Sequence, residues 1–444
     1  MFFFYFLLFL LSFMIMRKCK KFHNIIIDQR PKQEILRNEF LPRELVSNIL
    51  SRLQAKDLMK CKHVCKSWYK LITHPHFINN YQIFYNKLMH HHSQEQNLLI
   101  IYRPFFSRLK TFISLISCDF SEPNGYNISS HLLNPSNEFN SDHKYWTQIM
   151  GPCNGIYFLE GNPYVIMNPS INQFKILPQS HLTSPQGTYF LTDHAGFGFD
   201  SKTNDYKVVV VKDVWLMETD ERELMHWTAE LFSLRSNSWR EFDEADLPPP
   251  IEIWESSKVY TFVNNCCHWL GFVDELGRKE DVVLSFDMVN EVFRKIDMPR
   301  IRESSKETLA TLVPFDESTN VGIIVYPVRG IDKKIDVWVL RDYWDEGTWI
   351  KQYTIEPIQV MYKLVGFHGI NQFLWINKNE ELVLYDGNSQ QIKHLQVKGK
   401  NNSLRVVVYM ESLVSLRTRN DSIYQFVSCS YVNDHLLNTR EYTN

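Results

Sequence analysis

The chain has 444 residues, 48 Lys and Arg against 50 Asp and Glu, and a formal net charge of −2. That length exceeds one small domain and predicts a small domain plus a large one, or two to three units. An apolar content of 44% excludes wholesale disorder, and near neutrality gives no global argument for nucleic acid or for an acidic substrate. Aromatic residues at 14%, with scattered Gly and Pro, lean towards β structure.

Residues 1–16 read MFFFYFLLFLLSFMIM, with Ser12 the single polar residue. As a helix this run would reach about 24 Å, short of the ~30 Å hydrocarbon core of a bilayer. Arg17, Lys18, Lys20 and Lys21 follow it. A secretory signal has its positive charges before the apolar run and a small-residue cleavage site after it, and both are missing. Two readings stay open: a membrane tether with the rest of the chain in the cytosol, or a gene-model start upstream of the true Met.

After a polar stretch over 24–40, a helical pattern opens at Leu41. Pro42 suits a first helical position, and Leu45, Ile49, Leu50 and Leu53 share one face. Asp57 is the expected N-cap of a second helix carrying Leu58, Cys61, Val64 and Cys65. Ser67 precedes Trp68, Leu71 and Ile72, and Pro75 is expected to stop the helical run. Between Leu41 and Ile72 there are seven Lys or Arg and two acids, so this unit carries +5. A basic face beside apolar helix edges suits docking to an acidic protein; a solvated basic surface is the plainer alternative.

From about residue 97 the pattern changes to short apolar runs such as Leu98–Tyr102, Val208–Val211, Val282–Phe286, Val321–Tyr326 and Leu404–Tyr409, which read as strands. The runs repeat as a strand, a polar turn and a strand with an apolar anchor. The anchors are Phe174, Trp239, Phe293, Trp349 and Ile392, spaced 65, 54, 56 and 43. In four copies Asn168, Ser233, Asp287 and Asp386 stand six residues before the anchor. A period near 50 in an all-β chain matches kelch-type propellers, whose blades must stack to bury their faces. Pairing the end segments 97–135 and 404–417 would add a composite sixth blade and close the ring. An irregular β-sandwich is the alternative. The expected division is an apolar segment with basic flank (1–23), a helical unit (38–80), a linker (81–96), the propeller (97–417) and a C-terminal tail (418–444).

Eight Cys without a regular framework read as free thiols in a reducing, cytoplasmic compartment. Cys61, His63 and Cys65 lack metal-site spacing, and His90, His91 and His92 lack acidic or thiol neighbours, so no metal or cofactor is expected. Nucleophile, nucleotide and zinc-protease motifs are absent. Gly196-Phe197-Gly198 is a fragment of a dinucleotide fingerprint and is expected to mark a tight strand entry. Cys266-Cys267-His268 is not expected to act as nucleophile and base, because neighbouring strand residues point to opposite faces. Residues 217–256 hold eleven acids and three Arg, a local −8. This is either a solvated acidic loop or a patch that attracts a basic client.

Leu41-Pro42-Arg43-Glu44-Leu45, with Lys62-His63-Val64-Cys65-Lys66-Ser67-Trp68-Tyr69-Lys70-Leu71-Ile72 and Pro75-His76-Phe77, resembles a plant F-box. It departs at Gln54, where Pro is usual, and at Asp57, where Ser is common. Gly151-Pro152-Cys153-Asn154-Gly155, Asn204-Asp205-Tyr206-Lys207-Val208-Val209, Leu284-Ser285-Phe286-Asp287-Met288 and Met410-Glu411-Ser412-Leu413 resemble the plant F-box-associated domain. Within that family the chain is most similar to the S-locus F-box group of pollen self-incompatibility. The resemblance implies a small all-α F-box of three helices followed by a kelch-like, six-bladed β-propeller. It also implies a non-catalytic receptor subunit of an SCF-type cullin–RING ubiquitin ligase, with a Skp adaptor and a cullin scaffold as partners. The implied client is a basic S-RNase, and neither nucleic acid nor a cofactor is implied. On that reading Leu41, Pro42, Leu45, Ile49, Leu50, Leu58, Val64, Trp68, Leu71 and Ile72 contact the adaptor or support the contact. Glu218, Asp220, Glu221 and Glu223 are the candidate client-binding acids. A propeller adaptor, tethered or not, that acts outside a ligase is the alternative, and a kelch-like enzyme is a third, disfavoured reading.

Overall fold

In the computed structural model, four α-helices precede six β-sheets among the described residues. Those residues are 42–91, 95–102, 112–119, 126–133, 145–216, 224–247, 251–254, 259–275, 278–299, 308–315, 319–327, 334–343, 348–356, 361–368, 372–387, 389–399, 403–418, 426–428 and 432–433. The chain groups into two units. One is the helical region up to His91 together with Glu411–Val414, and the other holds the sheets. Residues 1–16 lie outside the described residues. Among the latter no helix is long and apolar enough to cross a membrane.

The helical unit contains α1 (Arg43–Leu50), α2 (Ala55–Cys61), α3 (Lys66–Ile72) and α4 (Pro75–His91). Three expectations change here. Pro42 is the N-cap of α1 rather than its first residue. The N-cap of α2 is Gln54, with no capping side chain of its own, and Asp57 lies in the first turn, where it pairs with Lys60 at 2.8 Å. Pro75 ends one helix but begins another, since a first-turn proline loses no helical hydrogen bond. So α4 runs through most of the stretch expected to be a linker. The core of this unit is Leu50, Ala55, Leu58, Ile72, Phe77 and Tyr81, all buried.

In the second unit, four strands per sheet form the repeat. Blade two is Tyr145–Cys153, Ile156–Asn162, Val165–Asn168 and Gln173–Ile176. Blade three is Thr188–Asp200, Asp205–Leu216, Leu224–Ser233 and Ser238–Glu241. Blade five runs from Thr308–Phe315 to Trp349–Ile355, and blade six from Met361–His368 to Gln391–Lys398. Blade one is composite: Arg405–Val408 pairs antiparallel with Glu95–Tyr102, Leu98 opposite Val408 and Ile101 opposite Arg405. The expected six blades and their closure by the two ends of the region are therefore observed, although the closing strand is only the first part of 404–417. Strands Tyr145–Cys153, Thr188–Asp200, Cys266–Glu275, Thr308–Phe315, Met361–His368 and Arg405–Val408 are successive neighbours in a closed ring.

The tail differs from expectation. Phe426–Ser428 adds an outer strand to blade two, and Val432–Asn433 adds one to blade one.

The repeat noticed in the sequence has a shared local cause. Each anchor pairs with the residue just before the turn-opening position: Met167 with Phe174, Phe232 with Trp239, Phe286 with Phe293, Tyr385 with Ile392. The turn-opening side chain accepts from a turn N–H: Asn168 from Ser170 at 3.0 Å, Ser233 from Ser236 at 3.2 Å, Asp287 from Val289 at 2.8 Å, Asp386 from Ser389 at 3.0 Å. The residue that closes each turn is left-handed, with φ of 53° at Asn172, 56° at Asn237, 58° at Glu291 and 56° at Gln390. Short polar side chains that bond their own turn favour this geometry.

Blade faces pack on their neighbours. In Glu95–Tyr102, Leu98 and Ile100 join a cluster with Leu374 and Leu384 of blade six, while Leu99 and Ile101 join Tyr157 and Phe174 of blade two. Burial of both faces explains the unbroken Leu-Leu-Ile-Ile run.

Blade four is the irregular one. Its strands Cys266–Glu275, Arg278–Asp287 and Val292–Asp297 are regular, but among the described residues its inner edge has only the short pieces Glu252–Ile253 and Phe262–Val263. Pro248-Pro249-Pro250 precede that edge in sequence, and proline removes ladder donors.

Candidate functional site

Two places in the molecule have the chemistry of a binding site. The first is the surface of the helical unit. Its apolar positions divide by burial. Leu50, Leu58 and Ile72 are core residues. Pro42 and Leu45 are exposed, and Ile49, Val64, Trp68 and Leu71 are half-buried, so they can support a contact with a partner. Leu41 lies outside the described residues. Tyr69, at 55% exposed, is the most open large apolar side chain among the described residues of this unit and was missed from the sequence. Its neighbour Trp68 has the larger area, and the i+4 and i−3 spacing of Tyr69 from Cys65 and Ile72 reads as a core position, so the sequence carried no signal of its exposure. Arg43, Lys56, Lys60, Lys66 and Lys70 are exposed on the same unit, and burial lowers the Lys62 pKa. The surface is apolar and basic, suited to an acidic partner.

The N-terminus of α2 is completed from far along the chain. Glu411 Oε2 accepts from the Ala55 N–H at 2.8 Å and from the Tyr81 hydroxyl at 2.7 Å. Tyr81 Oη also lies 3.1 Å from the Leu53 carbonyl. A carboxylate there satisfies an orphan donor and lies at the positive end of the helix dipole.

The second place is a cavity of about 1090 Å³ bordered by blades two, three and four. Trp254, Val259, Tyr260 and Thr261 of blade four border it. Blade two supplies Glu160 and Tyr164, and blade three supplies Asp193, His194 and Lys212. Tyr164 donates to Asp193 Oδ2 at 2.6 Å, and Lys212 Nζ is 3.6 Å from the same oxygen. Glu160 Oε1 accepts from the Ala195 N–H at 3.3 Å, and the Trp269 indole donates to the Ala195 carbonyl at 3.1 Å.

Close approach of blades three and four needs Gly196. A Cβ there would lie 2.7 Å from the Trp269 ring and 2.9 Å from Cys267 Sγ. Gly196-Phe197-Gly198 therefore lies inside an inner strand and admits its neighbours' side chains, rather than marking a strand entry.

The cavity's other titratable groups are committed to structure. His194 Nε2 is 3.2 Å from Asp213 Oδ2, both buried. His268 Nε2 is 2.8 Å from Tyr343 Oη, and burial pulls its pKa down to about 4. Cys267 Sγ lies 3.3 Å from the Phe197 carbonyl. Burial holds its thiol well above the ordinary range and pushes that of Cys153 up to about 12. Such thiols stay protonated and unreactive. Among the described residues no group of His, Cys, Asp or Glu is arranged to hold a metal ion. The side chains of His90, His91 and His92 are outside that description.

The acidic run behaves differently from a single solvated loop. Glu241, Asp243, Glu244 and Asp246 are exposed, but Glu230 is fully buried behind the cavity wall. Glu218, Asp220, Glu221 and Glu223 lie outside the described residues.

The chain matches the F-box associated beta propeller domain family over residues 105–433 and the F-box-like family over residues 39–80. It is similar to the F-box protein CPR1 of Arabidopsis thaliana, 24% identical over 398 residues, which is 84% of this chain and 88% of the relative. A second Arabidopsis thaliana F-box protein is 23% identical over 380 residues, 79% of this chain and 84% of that protein. An F-box/kelch-repeat protein of the same plant is 22% identical over 396 residues, 84% of this chain and 95% of the other.

Proposed function

Because the chain belongs to the plant F-box proteins that carry an F-box-associated β-propeller domain, we propose that it is the substrate-recognition subunit of an SCF-type cullin–RING ubiquitin ligase. The helical unit docks the Skp adaptor, which joins the cullin scaffold, and the propeller holds a protein client. The observation that carries this reading is the unburied apolar set Pro42, Leu45, Trp68, Tyr69 and Leu71 on a unit of charge +5. Open apolar groups on a lysine-rich unit favour a partner that offers both apolar and acidic groups.

The subunit is a receptor and not a catalyst in this reading. The cytoplasm is the compartment in which its free thiols and its ligase partners coexist. The narrower reading, an S-locus receptor for a basic S-RNase, draws on the sequence resemblance and on the acidic run over 217–256.

Affinity purification of the full chain from plant cells tests the proposal. Recovery of the Skp adaptor and cullin is expected, with both lost when Leu45 and Tyr69 are changed to Asp. A client recovered without adaptor or cullin would replace the ligase reading with that of an adaptor acting outside it.

A further inference from the structure

Among the described residues bordering the cavity of blades two to four, Lys212 is the single Lys or Arg, against Glu160 and Asp193. A third carboxylate stands behind the wall. Ala195 pairs with Val210 and Val210 with Glu230, while Asp193 pairs with Lys212. Residues two apart on a strand share a face, so Glu230, Asp193 and Lys212 lie on one face of blade three. Glu230 is fully buried, and neither of its carboxylate oxygens has a hydrogen-bond partner. Burial raises the Glu230 pKa, and the nearby Ser180 hydroxyl and Lys212 only oppose that rise.

A second unpartnered group borders the cavity itself. Thr261 is 1% exposed, and its hydroxyl has no partner. Buried polar groups left without partners are costly, and a ligand that supplies them gains what the fold forgoes. With Asp193 and Glu160 bordering the same space, the ligand chemistry that fits is a cation with donors to spare. Asp193 stays 39% exposed, with one oxygen engaged by Tyr164 and Lys212. Tyr164, Trp254, Tyr260 and Trp269 also border the space. Carboxylates beside aromatic faces suit a guanidinium better than an ammonium, because it is planar, stacks on rings and donates in a fork.

We propose that this cavity receives an arginine side chain of the client, its guanidinium set against Asp193 and Glu160 and the flanking client residues against Trp254 and Trp269. The volume exceeds that of one side chain and leaves room for those neighbours. This assignment rests on the receptor reading above and gives the client its chemistry: an accessible arginine in an extended segment.

The test uses the full chain purified with its adaptor and a fluorescein-labelled peptide, Gly-Gly-Arg-Gly-Gly, read by anisotropy. The same peptide with citrulline, neutral and nearly isosteric, is the control. The arginine peptide should bind about tenfold or more tightly than the citrulline peptide, as expected for a charged hydrogen bond. Asp193→Asn and Glu160→Gln should each remove most of that preference, and Lys212→Met should strengthen arginine binding by freeing Asp193. The comparison of peptides on the unaltered chain stands even where a variant fails to fold. Equal binding of the two peptides, or no arginine binding, overturns the assignment although the adaptor is recovered. Arginine preference without adaptor recovery overturns the receptor reading and leaves the cavity's chemistry intact.

Discussion

Glu411 caps a helix that begins 356 residues earlier, at Ala55. Gln54 provides no capping side chain, so the first N–H of α2 takes its acceptor from the segment after the last inner strand. Loss of such a cap costs about 1 kcal/mol. Glu411→Ala should lower the stability of the helical unit by about that amount, with the Tyr81 hydroxyl left to the Leu53 carbonyl. Glu411→Gln, which keeps an acceptor, should lose less. Chemical denaturation followed by helical circular dichroism reads the difference.

The division of apolar side chains in the helical unit makes opposite predictions for two residues. Leu58 is fully buried and Tyr69 is 55% exposed. Leu58→Ala should destabilise the unit by about 2–5 kcal/mol through cavity formation. Tyr69→Ala should leave the melting temperature unchanged and weaken adaptor binding by about tenfold or more, the loss expected of an aromatic at an interface centre. Calorimetry and adaptor titration on the same two variants separate core from contact.

Blade three meets blade four through a buried charge network. Lys207 Nζ lies 2.7 Å from Asp200 Oδ2, 2.7 Å from Glu291 Oε1 and 2.9 Å from the Met288 carbonyl. Burial acts to raise the Asp200 pKa, but hydrogen bonds from Lys207, from the Thr203 hydroxyl and from turn N–H groups outweigh it and set it at about 2. A folded-state pKa below the ordinary 3.8 means that the unfolded chain binds the proton first. The stabilisation is therefore complete above about pH 4 and disappears as pH falls through 2. Asp200→Asn should remove that part of the acid limb of a stability–pH profile, and Lys207→Met should leave Asp200 buried without its cation and lower stability at neutral pH by about 3–5 kcal/mol.

Gly196 has no room for a methyl group. The Gly196→Ala chain should lose about 1–3 kcal/mol by overpacking against Trp269 and Cys267. Tryptophan fluorescence should shift as the Trp269 ring is displaced, and an unchanged spectrum with unchanged stability would refute the close-packing account.

The blade pattern was legible because each repeat encodes it locally. Asn168, Ser233, Asp287 and Asp386 cap their own turns, and the anchors follow at fixed spacing, so a single hairpin carries the signal. The unbroken run at Leu98 also announced a strand buried on both faces. The outer strands Phe426–Ser428 and Val432–Asn433 were not legible, being two or three residues long and defined by the edges they cover. The cap of α2 was misassigned to Asp57 because the true acceptor is remote in sequence. The cavity was hidden for a similar reason: Glu160, Asp193, Lys212 and Thr261 come from three blades and form no motif. Glu230 falls within the acidic run of 217–256, although its place between Ala229 and Leu231 in an apolar strand was the available hint of burial.

The pairing of Leu98–Ile101 with Arg405–Val408 has a consequence for synthesis. The inner edge of blade one is made of residues that leave the ribosome about 300 positions before their partners. Until Val408 has emerged, that edge offers free N–H and C=O groups to any strand in the vicinity, its own kind included. Every chain ending short of that point is a ring with a gap, and nascent-chain chaperones and proteases have a physical mark by which to tell unfinished copies from finished ones.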